Sequence, residues 1–516
     1  MKILFYYHTS FDGTVLGMLY DEAKKFIEDK NNEVYFIMCD GFFSHCIVNP
    51  TGRKQVCQLC KTNKNKLFKN LFKDNEITLL NLFDYQESID NIKFNYETSD
   101  ELKQIEHDNI PIGYSTLSSY IQITRNQDPQ INEISKTYFD SQLSQSINII
   151  EAFKKLIHKL QPDLLCSYNG RFNEIRPVYE TAKLNKVSTR LYEMVPEFDG
   201  TYNKVFFDNC MPHDILKNNW RIEYNWDNSK LSENDKNIKA RNFFKRRRNG
   251  LTAGDKVYTK DQNIRLQPKD YDNSKINIVI FVSSEDEFVS LGGEYVDKSI
   301  FKSQIEGIEF ILNQFKHRNE YHFYIRIHPN LAKVRYSYHT YLHSFEKRYN
   351  NATVVKANSK ISTYKLIDSA DKVIVFGSTV GLEAAYWGKP VILLTCCLYY
   401  YYNFVYKPKD KFGLIKLIED DLESKYNDDV LKVGFYFYDK SSLYIESTDQ
   451  FKYINYNPVT IKLFNKNIYG YKYQKLLKST ILAAFVNYTK RFLCTILSRK
   501  RFKLPVEDRY IIPPEN

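Results

Sequence analysis

The sequence predicts an α/β protein built from two doubly wound domains in tandem. Short apolar runs alternate with helix-period segments through both halves of the 516-residue chain. That rhythm breaks between about residues 228 and 274, where the chain is charged and turn-forming, and then restarts. The length points the same way, since a single core rarely extends beyond ~250–300 residues.

In the first half, 3–7 reads as a strand and 16–29 as a helix with Leu16, Leu19, Ala23, Phe26 and Ile27 on one face. A second strand follows at 34–38. Residues 40–70, rich in Cys, Asn and Lys, interrupt the alternation and read as an insertion. A long helix over 140–159 presents Ile149, Ile150, Ala152, Phe153, Leu156 and Ile157 until Pro162 ends the pattern. Strand 163–167, the turn Asn169-Gly170, helix 175–184 and strand 187–191 complete this half. The second half repeats the scheme: strands are expected at 276–282, 321–327, 352–355, 372–376 and 391–394. Helices are expected between them at 301–316, 336–349, 361–369 and 379–387. The expected domains are 1–265, carrying a helical and basic excursion at 228–265, then 266–460, then a tail of helices at 461–516.

Composition narrows the function classes. Hydrophobic residues make up 43% and charged residues 26%, with only 18 Gly and 15 Pro, which excludes collagen-like, low-complexity and disordered chains. The net charge of +11 favours an anionic partner without choosing among nucleotide, nucleic acid and acidic lipid. The 41 Tyr suit sugar faces, although AT-rich coding gives the same excess. No secretory pattern and no run of ~18 apolar residues occurs, so a cytoplasmic protein is expected. Nine Cys in so long a chain do not suggest a disulfide framework.

Three strand-end segments carry chemistry. In 372–391 an apolar strand runs into Gly377-Ser378-Thr379 and a helix opens. The unpaired amides and dipole of a helix start attract an anion. Ser378 and Thr379 add hydroxyls, Gly381 permits close approach, and Glu383 stands within reach as an acceptor for ribose hydroxyls. An ordinary capped helix explains the same residues. No G-x-G-x-x-G occurs, which argues against a plain dehydrogenase. In 324–330 a strand runs into His328-Pro329, and Arg326 shares a side with His328. Either suits a phosphate, and Arg326 also suits a sugar carboxylate. In 281–288, Ser283 and Ser284 follow a strand and precede three acids; a capped acidic first turn accounts for these equally well.

Together these segments resemble the bacterial capsule polysaccharide biosynthesis glycosyltransferases, a group of GT-B architecture with Kdo-transferase-like members. Ser-Ser-Glu-Asp-Glu-Phe at 283–288, Arg-Ile-His-Pro at 326–329, Ser-Thr-Val-Gly-Leu-Glu-Ala at 378–384 and Gly-Lys-Pro-Val at 388–391 carry the resemblance. Tyr-Asn-Gly-Arg-Phe at 168–172 and Leu-Tyr-Glu at 191–193 extend it, and it covers roughly residues 1–40 and 160–395. It implies two Rossmann-like domains facing a central cleft, with the nucleotide-sugar donor in the C-terminal one. His328, Ser378 and Thr379 would then meet phosphate and Glu383 ribose, with Arg326, Ser283, Ser284 and Asn169 around the donor.

The resemblance also makes a CMP-activated acidic sugar the attractive donor, transferred to a capsular or other surface polysaccharide or a lipid-linked glycan. UDP-, GDP- and TDP-sugars stay open, as does a nucleotide-sugar epimerase. No convincing Asp-x-Asp loop is present, so the expectation is metal-independent transfer with no cofactor required. The catalytic base would be Glu193 or Asp12, with Arg171 beside Asn169 orienting oxygens.

Two further features stand apart. Cys39, Cys46, Cys57 and Cys60 follow C-x6-C-x10-C-x2-C, a spacing that gives a structural zinc site if the thiols converge and scattered thiols if they do not; His45 is a substitute ligand. Residues 471–503 hold nine Lys or Arg and no acid, with apolar residues at roughly helical spacing. Such a basic helix packs on the first domain or lies on an anionic bilayer, placing the protein at the inner face of the cytoplasmic membrane. The Arg/Lys cluster at 241–248 allows a nucleic-acid reading, but no recognition module accompanies it and no nucleic-acid partner is expected.

Overall fold

The computed structural model describes residues 1–10, 13–72, 76–86, 92–196, 202–253, 257–334 and 336–439, and the pairs 462–463 and 466–467. These fall into two compact units, one of residues 1–193 and 206–212, the other of 194–205 and 213–439. The result is an α/β fold with two sheet-centred units, consistent with a double Rossmann-like arrangement.

A six-stranded sheet, most of it in the first unit, consists of β1 (Lys2–Tyr6), β2 (Glu33–Met38), β3 (Thr78–Asn81), β4 (Leu164–Tyr168), β5 (Ser188–Pro196) and β6 (Tyr202–Asp208). Their order is β3-β2-β1-β4-β5-β6, and β1 pairs in parallel with both β2 and β4. Ile3, Leu4, Phe5 and Tyr6 are all buried, as a strand covered on both faces requires. Helices α1 (Gly13–Glu28), α2 (Lys54–Leu71), α3 (Ser99–Lys103), α4 (Ile112–Thr124), α5 (Glu133–Leu160) and α6 (Arg176–Leu184) belong to this unit. The long α5 starts at a capping box in which the Asn132 side chain accepts from Ser135 N and Ser135 returns to the Asn132 backbone. Its apolar face buries Ile149, Ile150, Phe153 and Leu156.

Residues 40–70 are not an insertion. They contain α2, the crossover that joins β2 to the parallel edge strand β3. Phe68 of α2 meets Phe36 and Tyr20 with ring centroids 5.1 and 5.2 Å apart. The Lys, Asn and Gln residues on the rest of this helix hid its apolar face in the sequence.

The second unit centres on β7 (Ile276–Phe281), β8 (Tyr321–Arg326), β9 (Ala352–Val355), β10 (Lys372–Val375) and β11 (Val391–Leu393). All neighbours are parallel in the order β11-β10-β7-β8-β9. The direction of winding reverses between β7 and β10, the place where such sheets hold ligands. Its helices are α7 (Ile215–Asp227), α8 (Glu233–Arg248), α9 (Glu294–Asp297), α10 (Gln304–Phe315), α11 (Ser337–Arg348), α12 (Thr363–Ser369), α13 (Thr379–Tyr386), α14 (Lys411–Glu419) and α15 (Asp429–Tyr438).

One sheet face buries Ile278, Ile280, Ile325 and Ile374 with Ile308, Leu312, Phe345 and Leu414. The other buries Val279, Phe281, Val373 and Val375 with Ile222, Phe243, Phe244 and Phe435. Residues 228–248 therefore pack in the second unit, where the sequence reading put 228–265 with the first. The reason is local: Phe243 and Phe244 of α8 enter the core, and Phe244 lies flat on Tyr386 at 3.8 Å, while the Arg/Lys run on the same helix dominated the sequence pattern.

The basic stretch 471–503 lies outside the described residues. Among the described residues no helix is long and apolar enough to cross a membrane.

Candidate functional site

The carboxyl ends of β7, β8 and β10 open into a cavity of about 300 Å³ in the second unit. Small-ligand sites begin at roughly this size. Ser283, Ser284, Arg326, His328, Ser378, Thr379 and Glu383 all line it. The three strand-end segments singled out in the sequence thus reach one space, at the point where the sheet reverses its winding.

Each wall has an identifiable cause. After β10 the chain turns through Gly377 at φ +81°, where a Cβ would meet the Cys396 carbonyl at 3.3 Å. Ser378 caps α13, accepting from Val380 N at 3.3 Å. The Tyr399 hydroxyl donates to Ser378 O at 2.5 Å. Gly381 answers to that tyrosine: a Cβ there would lie 2.3 Å from Tyr399 Oη and 2.8 Å from Val375 Cγ2. Close approach at Gly381 is therefore made by Tyr399 and Val375, not by the cavity.

His328 caps the short turn 329–331, its Nδ1 accepting from Asn330 N at 3.1 Å. A neutral ring bonded in this way carries its proton on Nε2, as a donor. The Tyr258 ring, also in the cavity wall, meets it edge-on at 4.8 Å. Arg326 is 2% exposed and donates to the carbonyls of Lys356 and Ser359 at 3.0 and 3.3 Å. No carboxylate pairs with it among the described residues, and burial alone draws its guanidinium down to about 10.

Two expectations shift. Ser283 gives its hydroxyl proton to Phe376 O at 2.7 Å, and Ser284 gives its own to Asp286 Oδ1 at 2.7 Å. The Ser283 bond ties β7 to β10 across the reversal point, and Ser284 Oγ accepts from Asn330 Nδ2 at 3.0 Å, linking the loops after β7 and β8. Glu383 is 2% exposed, and its carboxylate accepts from Arg247 Nε at 2.9 Å and from the Tyr364 hydroxyl. A carboxylate has about four acceptor sites, so capacity remains for a ribose hydroxyl, but its first partner is the protein. Burial and the Glu383 charge together hold the Tyr364 phenol protonated well above its ordinary range.

Sequence reasoning missed Arg247, Tyr258 and Tyr364 as lining residues. Arg247 was visible only as one of several Arg in a charged run.

In the first unit the candidates meet at the end of β4, beside Glu193, which lies within β5 and not after it as expected. Asn169, held at φ +62°, donates from Nδ2 to Glu193 Oε1 and accepts from Arg171 N at 3.2 Å. Gly170 follows at φ +91°, where a Cβ would strike Leu191 Cδ1 at 2.5 Å. The Arg171 guanidinium donates to Gln122 Oε1 at 3.0 Å and lies over the Phe172 ring at 4.6 Å. Asp12 lies outside the described residues.

Residues 234–403, about a third of the chain, match the family described as "Capsule polysaccharide biosynthesis protein". Among solved structures, the chain is similar to the beta Kdo 2,4 transferase KpsC of Thermosulfurimonas dismutans. Identity is 12% over 54% of this chain and 79% of that one, with a TM-score of 0.35. The beta Kdo 2,7 transferase of the same KpsC gives 17% over 55% and 79%, at 0.31. A UDP-GlcNAc 2-epimerase of Methanocaldococcus jannaschii gives 13% over 84% and 98%, at 0.25. No curated protein matches this chain.

Proposed function

With the family match over residues 234–403 as premise, we propose that this chain is an enzyme of GT-B-related fold acting on a nucleotide-activated sugar. The nucleotide would sit in the 300 Å³ cavity of the second unit. The observation that carries this reading is the meeting of three strand-end loops and the start of α13 around one space at the sheet's reversal point. There the His328 Nε2–H with the hydroxyl and amide of Thr379, at the start of α13, would form a donor set for phosphate, the Val380 and Gly381 amides being held by Ser378. Glu383, with Arg247 and Tyr364 behind it, supplies an acceptor for ribose.

The reaction we favour is sugar transfer to a glycan acceptor, without a metal ion. The departing phosphate would be stabilised by His328, Thr379 and α13, and Glu193, oriented by Asn169, would take the acceptor hydroxyl proton. Arg326 supports an acidic sugar or a second phosphate charge, since a buried guanidinium without a carboxylate partner suits an incoming anion. A CMP-linked acidic sugar is the narrower form of the proposal. An epimerase acting on a UDP-sugar uses the same nucleotide grip and differs in needing no acceptor.

A thermal-shift panel of CMP, UDP, GDP and TDP against the full chain tests the grip, because a ligand bound only by the folded form raises its apparent stability. One nucleotide should raise Tm, and His328→Ala should abolish the rise. No shift with any of the four would remove the proposal. Nucleotide release that requires a glycan acceptor then marks transfer, whereas conversion of the donor without acceptor marks epimerisation. If transfer holds, Glu193→Gln should leave the nucleotide shift intact while turnover falls by about 10²-fold or more. Unchanged turnover would remove Glu193 from the chemistry.

A further inference from the structure

Among the described residues, three ligand atoms come within 4.8 Å of one another only at His107, Asp108 and Glu151. Cys39, Cys46, Cys57 and Cys60 line one small cavity without converging, so they are scattered thiols and do not form the zinc site their spacing allowed.

The loop after β7 carries more. Three consecutive acids, Glu285, Asp286 and Glu287, follow Ser284 there, and Glu287 lines the 300 Å³ cavity. Negative charge beside a phosphate site opposes the ligand, so the acids call for another use. Each has a donor. Glu285 Oε1 accepts from Gln304 N at 3.1 Å, Asp286 Oδ1 from the Ser284 hydroxyl at 2.7 Å and Glu287 Oε1 from Asn330 Nδ2 at 3.1 Å.

The last two bonds meet at Asn330. Ser284 has one hydroxyl proton and gives it to Asp286, so its oxygen faces Asn330 Nδ2, 3.0 Å away, as an acceptor. Glu287, as a carboxylate, can only accept. Asn330 Nδ2 therefore places its two N–H groups on two acceptors of the β7 loop, and a flipped amide would set its oxygen against both.

Asn330 also holds His328. Its backbone N–H donates to His328 Nδ1 at 3.1 Å, while Leu331 N closes the turn on His328 O at 2.9 Å. In a neutral imidazole the bond made by one nitrogen decides which of the two carries the proton. With the proton on Nε2 the ring offers a phosphate a donor; with the proton on Nδ1 it offers a lone pair, which repels.

We propose that Asn330 is a positioning residue for phosphate recognition: clamped by Ser284 and Glu287, it holds its amide against Nδ1 and keeps His328 in the Nε2–H tautomer. Asp286 acts one bond further back, by taking the proton that would leave Ser284 unable to accept from Asn330. Two acids beside an anion site thus serve to aim a donor at it, and the loops after β7 and β8 work as one unit. The inference rests on the phosphate role proposed for His328.

The test uses the full chain labelled with ¹⁵N-histidine, with the His328 ring signals identified by their absence in His328→Ala. Spectra are taken at about pH 8.5, roughly two units above the ordinary histidine value. The unmutated chain should show His328 with its proton on Nε2. Asn330→Asp keeps the side-chain shape but sets oxygens against Ser284 and Glu287, and Asn330→Ala removes the clamp without adding charge. Both should turn the ring into a mixture of tautomers, a signal that a general loss of stability does not produce. In both, affinity for the nucleotide that raises Tm should fall about tenfold or more by calorimetry. A protonated or Nδ1–H ring in the unmutated chain would overturn the proposal, as would an unchanged Nε2–H ring in both variants. A tautomer that follows Asn330 in a chain binding no nucleotide would uphold the positioning and remove the phosphate role instead.

Discussion

Arg247→Ala should destabilise the protein by about 3–5 kcal/mol and abolish nucleotide binding in the second unit. Removing one member of a buried ion pair leaves the other charge unpaired, and that cost is of this order. Here the pair is well enclosed: the Arg247 and Glu383 side chains are 9% and 3% exposed, and Nε lies 2.9 Å from Oε1. Chemical denaturation of the full chain reads the loss. Glu383→Gln in the same background should return part of it, giving a coupling of about 1–3 kcal/mol in the double-mutant cycle. Strictly additive effects would show that the pair does not act as a unit. If Glu383 is the ribose acceptor we propose, the double variant should still bind nucleotide weakly, since an amide has half the acceptor capacity of the carboxylate.

His328→Ala should separate function from stability in the opposite way. The ring is half-buried and caps a single short turn, so stability should change by no more than about 1 kcal/mol. Loss of one donor aimed at developing phosphate charge is worth about 2.7–4 kcal/mol, and kcat/KM for the nucleotide-sugar should fall by about 10²- to 10³-fold. A variant with the wild-type Tm and near wild-type turnover would remove His328 from the site. Comparison with Arg247→Ala makes the two roles distinguishable: one residue holds the wall, the other faces the ligand.

The legible parts of the fold were those where burial is uniform. The strands β7 to β11 are covered on both faces and read as continuous apolar runs, and the strand expected over 352–355 coincides with β9. The edge strand β3 left no such signal, because Thr78 and Leu79 are exposed and only four residues pair. Helix α8 was legible only as a helical and basic excursion: its buried residues recur at helical spacing, but Lys236 and Arg247 at the two ends of that stripe hide it among the charges.

The site divides in the same way. Arg326, His328, Ser378 and Thr379 announce themselves because each ends a strand or starts a helix, where spacing alone puts side chains at the sheet's edge. Arg247 has no such address; its partner Glu383 is 136 residues away, and only the folded chain brings them together. The same contact turned Glu383 from an open ribose ligand into half of a buried pair.

The reach of α8 into the second unit has a consequence for dissecting this chain. A fragment cut at residue 266 would retain every strand of the second sheet, yet Glu383 would lose its cation and Tyr386 its stacking ring. The second unit is not the portable cassette its alternating pattern advertises; a piece that keeps its core begins ahead of α7, whose Ile222 and Trp226 lie in it.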